Sequence, residues 1–217
     1  VEHCKKCLMT NQKPFSVNEM EHGAQGKKLG LFMHNDGVCA ACHYAQKKDK
    51  EIDWKDRENK LVKLLDKYRK NDGSYDCVVP GSGGKDSAMA SHILKYRYGM
   101  NPLTVTFSPL LYTEEGLKNM NNWIDIGGFD NILFKANGKV AKILAKEAFD
   151  NILHPLQPFK FGLKVFPIKI AIKFNIDLVF YGEPRSEYGS EDAKKVEKPG
   201  FGEEFYSIKK DIGETYI

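Results

Sequence analysis

The stretch Cys77-Val78-Val79-Pro80-Gly81-Ser82-Gly83-Gly84-Lys85-Asp86-Ser87 decides how the chain is to be folded. An apolar run enters a glycine-rich turn, and Ala88-Met89-Ala90-Ser91-His92-Ile93-Leu94 follows with helix-forming character. Glycines at 81, 83 and 84 let the backbone bend tightly and approach a ligand closely, because no Cβ intervenes. The amides of Gly83, Gly84 and Lys85 then open a helix N-terminus, where they and the helix dipole favour an anion. Ser82 and Ser87 add hydroxyls, Lys85 a positive charge, and Asp86 a carboxylate suited to Mg²⁺. Two commoner glycine motifs do not fit. A P-loop requires Ser or Thr after Gly-Lys, where this chain has Asp86, and its first glycine would fall at Val79. A G-x-G-x-x-G fingerprint lacks its third glycine, since that position is Asp86.

The rest of the composition sets bounds. The chain has 217 residues, 41% of them hydrophobic, and a formal net charge of +4. That length allows one domain with an appendage, or two small ones. The small basic excess is dispersed in patterns such as Gln46-Lys47-Lys48-Asp49-Lys50, so charge does not argue for a nucleic-acid partner. No run of eighteen apolar residues is present, and the first residues lack the apolar region of a signal peptide. Four of the five cysteines form CxxC pairs, a pattern of metal binding in a reducing compartment rather than of disulfides. The expectation is a cytoplasmic protein without a membrane partner.

Cys4-Lys5-Lys6-Cys7 and Cys39-Ala40-Ala41-Cys42 are separated by 31 residues. Two knuckles of this kind complete a tetrahedral Cys₄ zinc site, with an inserted loop in the long spacer. An iron–sulfur cluster is the rival centre. Residues 11–37 show little apolar periodicity, so the metal is expected to organise a ribbon-like module over residues 1–52. His34 and His43 lie nearby but are not needed as ligands.

From Asp53 to Lys70, Trp54, Leu61, Leu64, Leu65 and Tyr68 recur at near-helical spacing, predicting an amphipathic helix within a bridging segment, residues 53–75. A strand and helix alternation follows over residues 76–190. Strands are predicted at Asp76–Val79, Pro102–Phe107, Asn131–Lys135 and Asp177–Tyr181. Helices are predicted at Asp86–Tyr98, Glu114–Ile126, Val140–Ile152 and Phe166–Phe174. The pattern indicates an α/β fold, a parallel sheet with helices on both faces. Ligands of such sheets bind beyond the C-terminal strand ends. This places Gly81–Ser87, Ser108–Thr113, Ala136–Gly138 and Gly182–Gly189 at one rim. Residues 191–217 read as a tail or the start of an incomplete region.

The Ser-Gly-Gly-Lys-Asp-Ser loop after a strand resembles the pyrophosphate loop of ATP pyrophosphatases, whose fold is adenine-nucleotide alpha-hydrolase-like. With the two cysteine pairs, His154-Pro155, Gln157-Pro158-Phe159, Pro167 to Ile176, Val179-Phe180-Tyr181-Gly182-Glu183 and Glu187-Tyr188-Gly189, the chain resembles the N-acetyl sugar amidotransferases. That family serves lipopolysaccharide O-antigen, other surface polysaccharide and nonulosonic-acid biosynthesis in bacteria. The resemblance covers roughly Cys4 to Gly189.

The resemblance implies an enzyme that adenylates the N-acetyl oxygen of a sugar, releases pyrophosphate, and lets ammonia displace AMP to leave an acetamidino group. It implies ATP and Mg²⁺ as cofactors beside the zinc ion, and a nucleotide-linked N-acetyl sugar as substrate. Ser82, Gly83, Gly84, Lys85, Asp86, Ser87, Phe107 and Ser108 are the expected nucleotide-binding residues, and Asp86, Lys85 and Glu183 the expected catalytic ones. Glu187, Lys164, Lys169 and His154 are weaker candidates, each also readable as an ordinary surface or loop residue. Cys77 lies in a buried strand and does not read as a glutaminase nucleophile, so a separate glutaminase subunit is the expected ammonia source. Two other readings stay open. A tRNA thiolation enzyme uses the same ATP chemistry, although the core here lacks further cysteines. The other is a non-catalytic zinc scaffold.

Overall fold

The computed structural model describes residues 1–12 and 30–182. They fall into two units, one of residues up to 54 and one of residues 55–182. Glu183, Glu187 and the stretch 191–217 lie outside the described residues.

The first unit is built on two short antiparallel bridges, His3 with Thr10 and Met33 with Cys39, followed by helix α1 (Ala40–Lys50). From sequence, this stretch is expected to form the second cysteine knuckle and a lysine-rich solvated face. It is a helix because Ala40, Ala41 and Ala45 favour helix and Lys47, Lys48 and Lys50 crowd the C-terminal turn, where cations suit the dipole.

The second unit is an α/β layer structure. Helix α2 (Trp54–Tyr68) buries Leu65 completely against Cys77 and Val79. The sheet contains β1 (Cys77–Pro80), β2 (Pro102–Phe107) and β3 (Asn131–Phe134), parallel and in that spatial order. Cys77 lies opposite Pro102 and Thr104 opposite Asn131. Alternation along β1 divides the core into two faces. Val78, Leu103 and Val105 pack with Ile170, Ala171 and Ile176, whereas Cys77 and Val79 pack with Leu65, Leu94 and Met100.

Helix α3 (Lys85–His92) follows β1 and continues as a π-helical turn, Ile93–Arg97, inside the single helix expected from sequence. Helix α4 (Glu114–Asp125) links β2 to β3, with the Thr113 hydroxyl capping it by accepting from the Gly116 N–H at 3.0 Å. Helix α5 (Gly138–Ile152) is capped by Asn137, whose Oδ1 accepts from the Lys139 and Val140 amides. Helix α6 spans Gln157–Lys173, nine residues earlier at its start than the expected Phe166. Pro158, Gly162 and Pro167 hid it. Pro158 sits in the first turn, where a proline costs no hydrogen bond, and Pro167, inside the helix, is fully buried.

The fourth expected strand, Asp177–Tyr181, is reduced to one parallel bridge between Val179 and Val78. The Val78 N–H donates to the Leu178 carbonyl and the Phe180 N–H to the Val78 carbonyl, both at 2.8 Å. Leu178 and Phe180 join one core face and Val179 the other, so the segment keeps strand alternation. The chain thus steps outward from β1 to β3 and then returns to the opposite side of β1. The reversal puts a topological switch point beyond the C-terminal ends of β1 and the Val179 segment. Among the described residues no helix is long and apolar enough to cross a membrane.

A four-cysteine cluster and an anion loop as candidate functional sites

In the first unit, residues 4–9 form a tight knuckle. The Cys4 N–H donates to the Met9 carbonyl and the Leu8 N–H to the Cys4 carbonyl, each at 2.9 Å, with Leu8 at φ 61°. The second cysteine pair comes from a different element. Cys39 caps α1 and Cys42 lies in its first turn. Cys4 Sγ and Cys42 Sγ are 3.9 Å apart, Cys7 Sγ and Cys39 Sγ 3.7 Å, and all four sulfurs lie within 4.8 Å of one another. Tetrahedral thiolate ligation at Zn–S of about 2.3 Å requires sulfurs about 3.8 Å apart. Four cysteines so placed can hold a metal ion such as zinc.

The thiols differ before any metal arrives. Burial pushes the Cys4 thiol up, but donors from the Cys39, Cys7 and Lys6 backbones outweigh it and bring the pKa down to about 6. Burial and the neighbouring sulfurs push Cys42 up to about 12. His43 Nε2 bonds Asp36 Oδ2 at 2.9 Å, and its ring lies tilted against that of His34 with centroids 4.2 Å apart. The Val38 N–H, together with His43, holds the Asp36 carboxyl below its usual range. Sequence reasoning passed over this Asp36 brace, because a lone aspartate before a glycine turn carries no metal signature.

In the second unit the loop of residues 81–84 leaves β1 and opens α3. Its shape is set by neighbours that leave no room for side chains. Gly83 has φ 81°, and a Cβ there would meet the Met120 backbone of α4 at 2.6 Å. A Cβ on Gly81 would fall 2.5 Å from the Ser87 hydroxyl and 2.7 Å from the Trp123 ring. The Gly81 N–H donates to the Val105 carbonyl at 3.0 Å, tying the loop to β2. Beneath it, the buried Trp123 indole donates to the Ser91 hydroxyl at 2.8 Å, joining α4 to α3. Gly84 caps α3 without a side-chain bond, so no cap side chain occupies the first-turn amides.

Of the expected ligands, Ser82, Gly84 and Lys85 are exposed, and Gly83, Asp86 and Ser87 half-buried. Lys85 Nζ pairs with both carboxylate oxygens of Asp86, at 2.6 and 2.8 Å, and the Ser87 hydroxyl donates to the Gly84 carbonyl at 3.1 Å. From the far side of β1, Gly182 closes on the same turn; a Cβ there would lie 2.6 Å from the Asp86 carbonyl oxygen and 2.9 Å from the Ser87 nitrogen. The sequence-expected loop and the Tyr181-Gly182 segment therefore meet.

Phe107 and Ser108 stand at the neighbouring strand end. The Phe107 ring packs with Phe134, Phe159 and Phe166 at centroid distances of 5.3 to 6.0 Å, so its side chain belongs to the α6 face rather than to the loop. Ser108 is buried, and its N–H donates to the Phe134 carbonyl at 2.8 Å. Beside them an apolar pocket opens at the rim, lined among others by Ala136, Leu144, Pro158 and Phe159. Cys77 is fully buried, and burial, then the Asp76 charge, push its thiol up to about 12. His154 stands at the α5–α6 connection, its Nε2 accepting from Lys160 Nζ at 3.2 Å.

No known family model matches the chain. Over 101 residues it is 28% identical to an uncharacterized protein of Methanocaldococcus jannaschii, covering 46% of this chain and 35% of that protein. The chain thus matches about a third of the length of that relative, whose description assigns it no activity.

Proposed function

We propose that the chain is an ATP-dependent amidotransferase acting on an N-acetyl sugar, and that its second unit has the adenine-nucleotide alpha-hydrolase-like fold. The observation that supports this most is the Gly81–Ser87 loop, packed between Met120 and Gly182 at the switch point of a parallel sheet. Outward amides at a helix start, with Lys85 beside them, suit the β,γ-phosphates of ATP and the pyrophosphate that departs. The base of ATP is assigned to the neighbouring strand end, where Phe107 and Ser108 border a small apolar pocket. Asp86, now paired with Lys85, is the carboxylate that would hold Mg²⁺ against the phosphates of ATP. Glu183, the third residue expected to be catalytic, lies outside the described residues.

The chemistry balances with these groups. An amide oxygen attacks the α-phosphorus, the bond to the pyrophosphate oxygen breaks, and an imidate with AMP as leaving group forms. Ammonia adds to the imidate carbon, the carbon–oxygen bond to AMP breaks, and a proton is lost. The loop donors lie where charge builds on the leaving pyrophosphate. Zinc at Cys4, Cys7, Cys39 and Cys42 acts structurally, since four thiolates leave no open position. Cys77, buried and held as a thiol, does not suit a glutaminase nucleophile, so ammonia is assigned to a separate glutaminase subunit. The protein is assigned to the cytoplasm, where ATP and reduced thiols coexist.

The test is incubation with Mg-ATP, ammonium and a panel of nucleotide-linked N-acetyl sugars. Pyrophosphate release is expected, with a sugar product lighter by about one mass unit, the difference between oxygen and NH. Pyrophosphate released only with tRNA and a sulfur donor would overturn the sugar reading. Absence of ATP binding would overturn the enzyme reading altogether.

A further inference from the structure

The base of the Gly81–Ser87 loop is closed by a ring of contacts that returns to its starting point. A β-carbon on Gly81, where the loop leaves β1, would stand 2.5 Å from Ser87 Oγ and 2.7 Å from the Trp123 ring. Both side chains therefore fill the space beside this glycine. The Trp123 indole N–H donates to Ser91 Oγ at 2.8 Å. Ser91 Oγ in turn shares its own hydrogen between the Ser87 and Ala88 carbonyls, at 2.9 and 3.0 Å. Ser87 then meets Gly81 again. Ser91 is fully buried and Trp123 only 5% exposed, a low-dielectric setting that strengthens these bonds.

One turn earlier on α4, Met120 supports the middle of the loop. A β-carbon on Gly83 would meet the Met120 main-chain nitrogen at 2.6 Å. The Met120 sulfur accepts from the Tyr112 hydroxyl at 3.4 Å. Helix α4 thus touches the loop at its entry, at its middle and, through Ser91, at its exit. The loop needs such a template. Glycines at 81, 83 and 84 leave its backbone many accessible conformations. Freezing them costs conformational entropy, and a free loop would draw that cost from the binding of its ligand. Donors already fixed by a template need no reorganisation when charge arrives.

We infer that Trp123 is a positioning residue for a diphosphate group: through Gly81 and Ser91 it holds the loop in its anion-binding shape before the ligand enters. The inference rests on the reading of this loop as a pyrophosphate site. It adds to that site a residue from another helix, which acts on the anion only through the loop. Trp123 does so in two separable ways, since its ring supports Gly81 and its N–H holds Ser91. Trp123→Phe removes the donor and shortens the ring, whereas Ser91→Ala breaks the relay and leaves the ring in place.

The test is calorimetric titration of the full chain with inorganic pyrophosphate and Mg²⁺, at a temperature where circular dichroism shows every variant folded. Trp123→Phe and Ser91→Ala are each expected to weaken binding at least fivefold. Tyr75→Phe loses a hydrogen bond to Asp130 at the other end of the strands, and as the stability control it should stay within twofold of wild type. The chain has two tryptophans, so Trp54→Phe leaves Trp123 as its only indole. In that background the Trp123 emission should change with the same midpoint as the heat, a signature that a merely structural tryptophan would not give. Wild-type affinity in either loop variant, an equal loss in Tyr75→Phe, or constant emission overturns the inference and spares the pyrophosphate site. No binding of pyrophosphate by the wild type overturns the reading of the loop, and the inference with it.

Discussion

Gly182 lies so close to Asp86 that a β-carbon on it would sit 2.6 Å from the Asp86 carbonyl oxygen. Two segments almost a hundred residues apart in sequence thereby define one turn of backbone. Gly182→Ala should push the Tyr181 segment off the start of α3, because the colliding atoms are main chain and cannot rotate away. ATP affinity is expected to fall at least tenfold, with little change in far-ultraviolet circular dichroism. Calorimetric titration with Mg-ATP measures it, and wild-type affinity in this variant would separate the Gly182 contact from nucleotide binding.

Asp86 is held by its own neighbour, with Lys85 Nζ at 2.6 and 2.8 Å from its two oxygens. If Asp86 binds Mg²⁺ during turnover, Asp86→Ala should abolish pyrophosphate release and leave the fold intact, since the ion pair is at the surface and contributes little stability. Lys85→Ala should instead weaken nucleotide binding and spare the metal dependence. Unchanged turnover in Asp86→Ala removes the residue from the mechanism.

The strut beneath the loop is a prediction about stability. Trp123→Phe leaves the Ser91 hydroxyl without the donor now 2.8 Å away. The expected loss is about 1–2 kcal/mol in urea unfolding, the range for a buried hydrogen bond with some loss of packing. Ser91→Ala strands the buried indole N–H and should cost about 1–3 kcal/mol. Because the two residues share one bond, the double variant should be less damaged than the sum of the singles. Additive losses would show that the bond carries no coupling.

Tyr75 supplies a pH signature. Its hydroxyl donates to Asp130 at 2.8 Å, and that bond, with burial and the aspartate charge, raises its pKa. A raised folded pKa means that the contribution is fully present below the unfolded value of about 10 and is lost as pH rises through the folded one. The stability difference between wild type and Tyr75→Phe should therefore be constant from pH 7 to 9 and shrink above pH 10. A difference that grows above pH 10 would contradict the assigned bond.

Metal removal should act on one unit. Chelation, or Cys39→Ser, is expected to release one zinc ion per chain and to unfold residues around the cysteine cluster, because the two short bridges there bury little apolar surface. The sheet of the second unit should keep its circular dichroism, since its core of Val78, Leu103 and Val105 is independent of the metal. Iron in place of zinc by elemental analysis would reassign the centre, and loss of sheet signal would contradict the independence of the two units.

Much of this was legible before any coordinates. β2 begins and ends where the β-branched run Pro102–Phe107 does, because a strand buried on both faces is written as continuous apolar sequence. The cysteine pairs announced their cluster by spacing alone. Helix α6 was half hidden, since prolines and a glycine argue locally against helix, while tertiary packing of Pro167 and the close approach of Gly162 to Phe107 favour it. The Asp177–Tyr181 segment alternates as a strand should, yet one edge of β1 offers it a single bridge.

The sequence by itself determined the local chemistry: which glycines bend, which thiols gather at a metal, and where strands end in polar loops. These are properties of neighbours a few residues apart, governed by dihedral freedom and periodicity. Only the tertiary structure decided that Gly182 rests on Asp86 and that Trp123 braces Ser91. Those relations depend on where the chain reverses across β1, and the reversal is settled by which packing buries both faces of the sheet.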